Sequence, residues 1–149
     1  MIADDSGRVD WLVGGQDTGY DTFLAGVGAL IMGRVTYDQV LGFGEWPYAG
    51  KHVYVITHEQ LDDLPADTQT ISGAITDIVR AARAATDEHV WIVGGADIAN
   101  QCLRAGLIDE LDLFIQPIIL GEGISVWQDV IKEELHLYEV RQLKQGVVR

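Results

Sequence analysis

Two short segments place glycine between an apolar run and the start of a helix, and both are suited to binding an anion. The first spans residues 32–37 (MGRVTY), where Arg34 and Thr36 add a cation and a hydroxyl. The second spans residues 93–97 (VGGAD) and carries paired glycines. Glycine lets a backbone approach a ligand, and the first N–H groups of a helix have no partner within it. Each segment therefore predicts a phosphate site, and together they predict a diphosphate site.

Each of these glycine corners also has a purely structural interpretation. Gly-Arg after a strand is commonly just a tight turn, and Gly-Gly commonly relieves crowding. The second corner is also not the GxGxxG dinucleotide fingerprint, because no third glycine follows at the required spacing. The prediction of a phosphate site therefore depends on both corners lying at the same edge of one sheet.

Hydrophobic patterning predicts the elements that would position the two corners. Strands are expected at 29–32, 52–57, 68–72, 89–93, 110–119 and 135–143, with a turn at 144–146 and a last strand from 147. Helices are expected after a capping box at 18–21, at 34–41, at 74–86 and at 97–105, the last ending at Gly106. This order predicts an α/β fold with a central, mostly parallel sheet, helices on both faces and an antiparallel C-terminal edge. Ligands of such sheets bind beyond the carboxyl ends of the strands, where both corners fall.

Composition and charge restrict the range of partners. The chain has 149 residues, 48% of them hydrophobic, and a net charge of -13. We expect neither a nucleic-acid nor a membrane partner, because polyphosphates need a basic surface and no apolar run has the ~20 residues of a membrane span. A small anionic ligand requires a local positive site, which Arg34 could supply. The lone Cys102 and the lack of a signal-peptide pattern predict a cytoplasmic protein.

Other catalytic chemistries fit the sequence poorly. The four histidines lack metal-ligand spacing, so no metal site is predicted. The three serines lack a GxSxG nucleophile elbow. Cys102 lies in a helix-like stretch without a nearby base and is expected to be a buried spectator thiol.

Several segments in a fixed order resemble one known family. They are residues 33–37 (GRVTY), 46–51 (WPYAGK) before the strand at 53–57, 93–96 (VGGA), 107–111 (LIDEL) and 117–123 (PIILGEG). The chain resembles the dihydrofolate reductase superfamily from Ile2 to the C-terminus. Within it, the chain is similar to small bacterial proteins related to the reductase domain of riboflavin biosynthesis. This resemblance implies a dihydrofolate-reductase-like three-layer fold and an NAD(P)H-dependent oxidoreductase.

The resemblance also implies where a cofactor would bind. NADPH would lie across the two corners, with the paired glycines joined by a cis peptide. Thr57 and His58 would occupy the place that recognises the adenosine 2′-phosphate. Glu59 follows them, and an imidazole is a poorer phosphate partner than a guanidinium, so NADH is not excluded. The full set of expected cofactor-binding residues is Gly33, Arg34, Thr36, Thr57, His58, Val93, Gly94, Gly95, Ala96, Asp97 and Ile98.

Six residues are candidates for the substrate side. Asp21 is the candidate catalytic acid, with helix capping as its alternative. Trp46 and Tyr48 could form a wall against a flat ring, although Trp46 could equally close the core. Ile118, Leu120 and Gly121 would lie at the mouth of the cleft by the family analogy, with ordinary core packing as the alternative.

The ends of the chain differ from the family pattern. Residues 1–149 are expected to form a single dihydrofolate-reductase-like domain that lacks the family's first strand and the end of its last strand. The expected function is NADPH-dependent reduction of a small heterocycle by hydride transfer, with a pterin-like substrate or a riboflavin precursor such as 5-amino-6-(5-phosphoribosylamino)uracil. The alternative is a non-catalytic ligand-binding or interaction protein that retains the fold. In either case the family implies a homodimer.

Overall fold

A computed structural model describes residues 1–12, 19–128, 132 and 134–149 of the chain. Its centre is a sheet of four strands in the order β3-β2-β1-β4, with every neighbouring pair parallel. In chain order the elements are α1 (Tyr20–Ala25), β1 (Val27–Gly33), α2 (Arg34–Gly42), β2 (His52–Ile56), β3 (Thr68–Ile71), α3 (Ile75–Ala84), β4 (His89–Gly94), α4 (Ala96–Arg104) and a short 3-10 helix (Lys144–Gly146). The predicted α/β class, parallel sheet and flanking helices are confirmed.

Successive side chains of β1 pack into two hydrophobic cores, one on each face of the sheet. Leu30 and Met32 pack in the core that contains Tyr37 and Val40 of α2. Ala29 and Ile31 point to the opposite face, into the core that contains buried residues of α3 and α4. Because β1 is buried on both sides, its sequence is a continuous apolar run rather than an alternating one.

The order of the strands creates a crevice at one end of the sheet. After β1 the chain passes through α2 to β2 and then to β3, moving outward in one direction. It then returns through α3 to β4, which pairs with the other side of β1. The β1–β4 boundary is thus the point where the strand order reverses, and ligands of open α/β sheets bind beside the strand ends at such a point.

The C-terminal third departs from the predicted strands. No strand ladder forms in the described residues after 104, and residues 110–119 are mostly exposed, with Ile119 98% accessible. The prediction of a buried strand there is wrong, as is that of a strand at 135–143. In the described residues, the expected antiparallel edge is represented by isolated bridges from Val148 to Ile115 and to Gln142, and a further antiparallel bridge joins Ala3 to Ile124. The predicted turn at 144–146 is confirmed as the 3-10 helix.

The start of α1 also differs from the prediction. Gly19, with a positive φ of 75°, occupies the N-cap position, and no side chain caps the helix. Thr18, the expected capping residue, lies outside the described residues. Asp21 lies in the first turn of α1. With Gly19 rather than Thr18 at the N-cap, the helix begins one residue later than the capping-box spacing predicts. No helix in the described part of the chain is long and apolar enough to cross a membrane.

Cys102 on α4 is fully buried in the core on the α3 side, as predicted. Burial raises the pKa of its thiol to about 11, so about one molecule in a thousand carries the reactive thiolate at pH 8. We expect the native protein to resist a thiol reagent such as dithionitrobenzoate at pH 8. The same protein in guanidinium chloride should release one equivalent, and rapid stoichiometric labelling of the native protein would contradict the burial.

Gly28 in β1 is a position where a side chain cannot be accommodated. A Cβ atom there would collide with the Thr86 hydroxyl and lie 2.8 Å from the Thr86 Cβ. The same hydroxyl accepts a hydrogen bond from the Glu88 N–H at 3.0 Å, so moving it has a cost. We expect Gly28→Ala to lower the free energy of unfolding by about 1–3 kcal/mol, measured by urea denaturation. In a Thr86→Gly background the added methyl should cost less, because the 3.1 Å contact with the Glu88 Cβ is then the one close contact that remains of those found at Gly28. An equal loss in both backgrounds would assign the effect elsewhere.

Candidate functional site

The two glycine corners meet at the β1–β4 boundary. Met32 pairs with Gly94, so the corners follow directly from neighbouring strands. A Cβ built on Gly33 would lie 3.8 Å from the Gly95 nitrogen and 3.9 Å from the Gly94 oxygen. One built on Gly95 would lie 3.7 Å from the Thr36 hydroxyl. The structure therefore joins two segments that are about sixty residues apart in the sequence.

Two helices start at this meeting point. Helix α2 begins at Arg34 with Gly33 as its N-cap, and α4 begins at Ala96 with Gly95 as its N-cap. Each has nine residues, and neither has a side chain capping its first N–H groups. Both helices therefore direct the positive ends of their dipoles toward the space between the two corners. Their first backbone N–H groups, which no side chain caps, lie at the same place.

At Gly94 in the second corner, the backbone is not covered by neighbouring side chains. Gly94 has a φ of 126°, a conformation that favours glycine, and a Cβ there would meet no atom within 4 Å. The Gly94–Gly95 peptide is cis, as the family resemblance implied. Glycine at these positions leaves the space in front of the peptide groups free, and that space suits the oxygens of a pyrophosphate.

Arg34 is held by two carboxylates rather than standing as an isolated cation. Its Nε atom donates to both Asp38 oxygens at 2.9 Å, and its Nη1 atom donates to a Glu59 oxygen at 2.6 Å. The hydrogen bond to Asp38, together with the negative charges of Asp38 and Glu59, raises the pKa of the guanidinium. Arg34 thus links the start of α2 to the segment after β2. Its charge is already shared at the point where a phosphate would approach.

A shallow groove of about 220 Å³ lies beside Arg34 at the carboxyl ends of β2 and β3. The groove is lined by Thr57, His58, Glu59, Gln60, Thr70, Ile71 and Ser72. The Thr57 hydroxyl accepts a hydrogen bond from the Glu59 N–H at 3.0 Å, which fixes the turn after β2. Thr57 and His58 thus directly follow the end of β2, and Glu59 connects them to Arg34. Their role in binding a cofactor stays a prediction.

The remaining expected cofactor residues follow the second corner. Val93 packs against the core on the α2 side, and Ile98 is buried in the opposite core. Ala96 is buried, whereas Asp97 is exposed in the first turn of α4 and accepts a hydrogen bond from Gln101 at 2.8 Å. The side chains of Val93, Ala96 and Ile98, which are buried or half-buried, therefore anchor the second corner to the two sides of the sheet.

The substrate-side candidates are not all brought to the corners. Tyr48 is buried in an aromatic cluster on the α2 face, with ring centres 5.2 Å from Trp46 and 6.1 Å from Trp91. Burial raises the pKa of Tyr48 well above its ordinary value, with Tyr20 contributing. The Trp46 indole packs against the same core, and its buried N–H has no acceptor among the described residues. Asp21 is exposed on α1. The preceding residue, Tyr20, contacts this aromatic cluster, with its ring centre 6.1 Å from that of Trp91.

The candidates in the C-terminal segment are half-buried or exposed. Ile118 is 47% exposed, Leu120 is half-buried, and Gly121 is exposed with a φ of 81°. No contact described for these three residues joins them to either glycine corner. Their substrate-binding role stays a prediction.

Comparison with known proteins identifies the family. The family model described as the RibD C-terminal domain matches residues 1–149. The chain belongs to the RibD C-terminal domain family. It is 33% identical to the uncharacterized protein YwjB of Bacillus subtilis, over 99% of this chain and 87% of that protein. The uncharacterized protein YyaP of the same organism is 28% identical, over 100% of this chain and 86% of that protein.

Solved structures agree with this assignment. One is a protein of Shewanella sp. PV-4 that is provisionally named a riboflavin biosynthesis protein. Its structure has a TM-score of 0.87 and 28% identity to this chain, over 99% of this chain and 88% of the Shewanella chain. A diaminohydroxyphosphoribosylaminopyrimidine deaminase/5-amino-6-(5-phosphoribosylamino)uracil reductase of Thermotoga maritima has a TM-score of 0.64 at 16% identity. It shares the fold over 99% of this chain and 51% of its own. A pyrimidine reductase-like protein of Corynebacterium diphtheriae shares the fold at 14% identity, with a TM-score of 0.62 over 98% of this chain and 86% of its own.

Within this RibD C-terminal domain, two polar residues near the corners were missed by sequence reasoning. Asp38 binds Arg34 at the i,i+4 spacing of a helix, a signal that the sequence contains. Asn100 is 1% exposed on α4 and donates to the Ala96 and Val126 carbonyls at 2.6 and 2.9 Å. Its oxygen accepts from the Gln128 N–H at 3.1 Å. Asn100 therefore fastens the segment at 126–128 to the helix that forms the second corner.

Proposed function

We propose that this RibD C-terminal domain protein is a reductase that uses NADPH or NADH to reduce a small heterocycle of the pterin or riboflavin-precursor type. The observation that carries the proposal is the meeting of two glycine corners and two helix N-termini at the β1–β4 boundary. The membership of the chain in the RibD C-terminal domain family and the reductase named among its structural neighbours support the reaction class.

The residues at the corners fit a dinucleotide pyrophosphate. Backbone N–H groups at the starts of α2 and α4 donate to its oxygens, and the Thr36 hydroxyl adds a donor between the corners. Arg34 lies on the β2 side of the corners, where Asp38 and Glu59 share its charge. Val93 and Ile98 hold the second corner in place from the two cores. These contacts orient a ligand without requiring a basic surface, which agrees with the net charge of -13.

The chemistry of the reduction comes mainly from the cofactor, which supplies a hydride when bound. The protein must exclude water, hold the heterocycle and deliver one proton for each hydride. Asp21 is the candidate for holding that proton. Trp46 and Tyr48 are the candidates for packing against the flat ring; the Trp46 indole N–H is itself buried against the core and has no acceptor among the described residues.

Fluorescence titration of the purified protein with NADPH and with NADH tests the proposal. Saturable binding of at least one of them at tens of micromolar or below is the expected result. Absence of binding of both would overturn the reductase assignment. Binding without turnover of any pterin or pyrimidine substrate would instead support the non-catalytic alternative.

We also propose that the protein acts as a homodimer that uses its C-terminal third. Many large apolar side chains of this part of the chain are exposed, and burial of such side chains against a partner is favourable. They include Leu113, Ile115, Ile119, Leu135, Leu137, Tyr138 and Val140. A second copy could cover this surface and complete the edge that the isolated bridges leave open. A mass corresponding to two chains in solution at micromolar concentration is expected, and a monomer mass would contradict it.

A further inference from the structure

The groove after β2 carries a negative charge beside the expected path of the dinucleotide. Of the residues that line it, Glu59 is the one acid, and none is a lysine or an arginine. The Glu59 carboxylate is 72% exposed and lies 2.6 Å from Arg34 Nη1. It is therefore directly accessible to a ligand that contacts Arg34.

Strand order places this carboxylate next to the pyrophosphate site. β2 is the neighbour of β1, and Arg34 begins the helix that follows β1. A dinucleotide with its pyrophosphate between the corners and its adenosine half extending toward β2 would place the adenosine ribose beside the Arg34–Glu59 pair. In α/β dinucleotide sites, an acid at such a position hydrogen-bonds ribose hydroxyls, whereas an arginine accommodates a 2′-phosphate.

Building on the proposed function, we propose that Glu59 is a specificity-determining residue that makes the protein prefer NADH to NADPH. The carboxylate accepts hydrogen bonds from the ribose hydroxyls of NADH. The 2′-phosphate of NADPH would instead face a like charge. Arg34 cannot fully offset this repulsion, because Asp38 and Glu59 already share its guanidinium.

Cofactor titrations of three proteins test the assignment: the unaltered chain, Glu59→Gln and Asp62→Asn. Glu59→Gln keeps the shape of the side chain and removes its charge, and an exposed position makes misfolding a minor concern. Asp62→Asn removes the same charge from an exposed residue three positions along that does not line the groove. The unaltered chain should bind NADH at least about tenfold more tightly than NADPH, as expected for a like charge beside the phosphate.

Glu59→Gln should reduce that preference to roughly threefold or less, mainly by tightening NADPH. Asp62→Asn should leave the ratio of the two dissociation constants unchanged. Equal or tighter binding of NADPH by the unaltered chain would overturn the role of Glu59 while leaving the reductase assignment intact. If both variants changed the ratio of the two dissociation constants equally, the effect would come from net charge, and this result would also overturn the role of Glu59. Failure of both cofactors to bind would overturn the proposed function itself.

Discussion

Gly95→Ala should abolish most dinucleotide binding while leaving the fold intact. The added Cβ would occupy the space between the corners, 3.7 Å from the Thr36 hydroxyl, an ordinary contact distance. The Gly95 φ of -75° and ψ of -164° are accessible to alanine. A bound pyrophosphate, by contrast, would lose close approach to the backbone donors. Loss of one charge-assisted hydrogen bond, worth about 1.5–3 kcal/mol, corresponds to roughly 10- to 100-fold weaker binding.

Gly42→Ala provides the matched control for this change. Gly42 ends α2, has open space where a Cβ would project, and lies at the opposite end of the helix from the corner. The same added methyl should leave cofactor affinity unchanged and raise helix stability slightly. Titration of both variants by cofactor fluorescence, with thermal melts in parallel, separates binding from folding. Unaltered affinity in Gly95→Ala would remove the second corner from the binding site.

The sheet and its flanking helices could be predicted because their signals are local. The sequences of β1 and β2 are short, mostly apolar runs, because a strand of a parallel sheet is covered on both faces. Helix α3 shows its buried stripe at helical spacing, and the structure buries Ile78, Val79 and Ala82. The apolar run at 110–119 gave the same signal and was predicted wrongly as a buried strand. An apolar run indicates that a segment packs against another apolar surface. The sequence does not specify whether that surface is the core of the same chain or a different molecule.

The location of the candidate site was predictable, but its electrostatics were not. Glycine between an apolar run and a helix marked both corners, and topology then brought them together at the β1–β4 boundary. The ion pair between Arg34 and Glu59 joins residues 25 positions apart. Such a contact depends on the pairing of β1 with β2, which no local pattern specifies. The sequence therefore suggested a free cation where the structure has one shared between two acids.

Asn100→Ala should cause the largest loss of stability among changes near the site. The side chain is 1% exposed and makes three hydrogen bonds, two of them to the segment at 126–128. Truncation would leave the Val126 carbonyl and the Gln128 N–H without these partners. Both groups are only partly buried, so we expect a loss of about 2–3 kcal/mol in the free energy of unfolding. That corresponds to a melting temperature roughly 5–10 °C lower.

Two further variants distinguish lost hydrogen bonds from lost volume. Asn100→Asp keeps the shape but replaces the amide donor with an oxygen that faces two carbonyl groups, so at neutral pH it should destabilise the protein at least as much as alanine. Gln101→Ala, the next residue, loses only a surface bond to Asp97 and should change stability by less than about 0.5 kcal/mol. Near-normal stability of Asn100→Asp would show that packing, not hydrogen bonding, fastens this segment to α4.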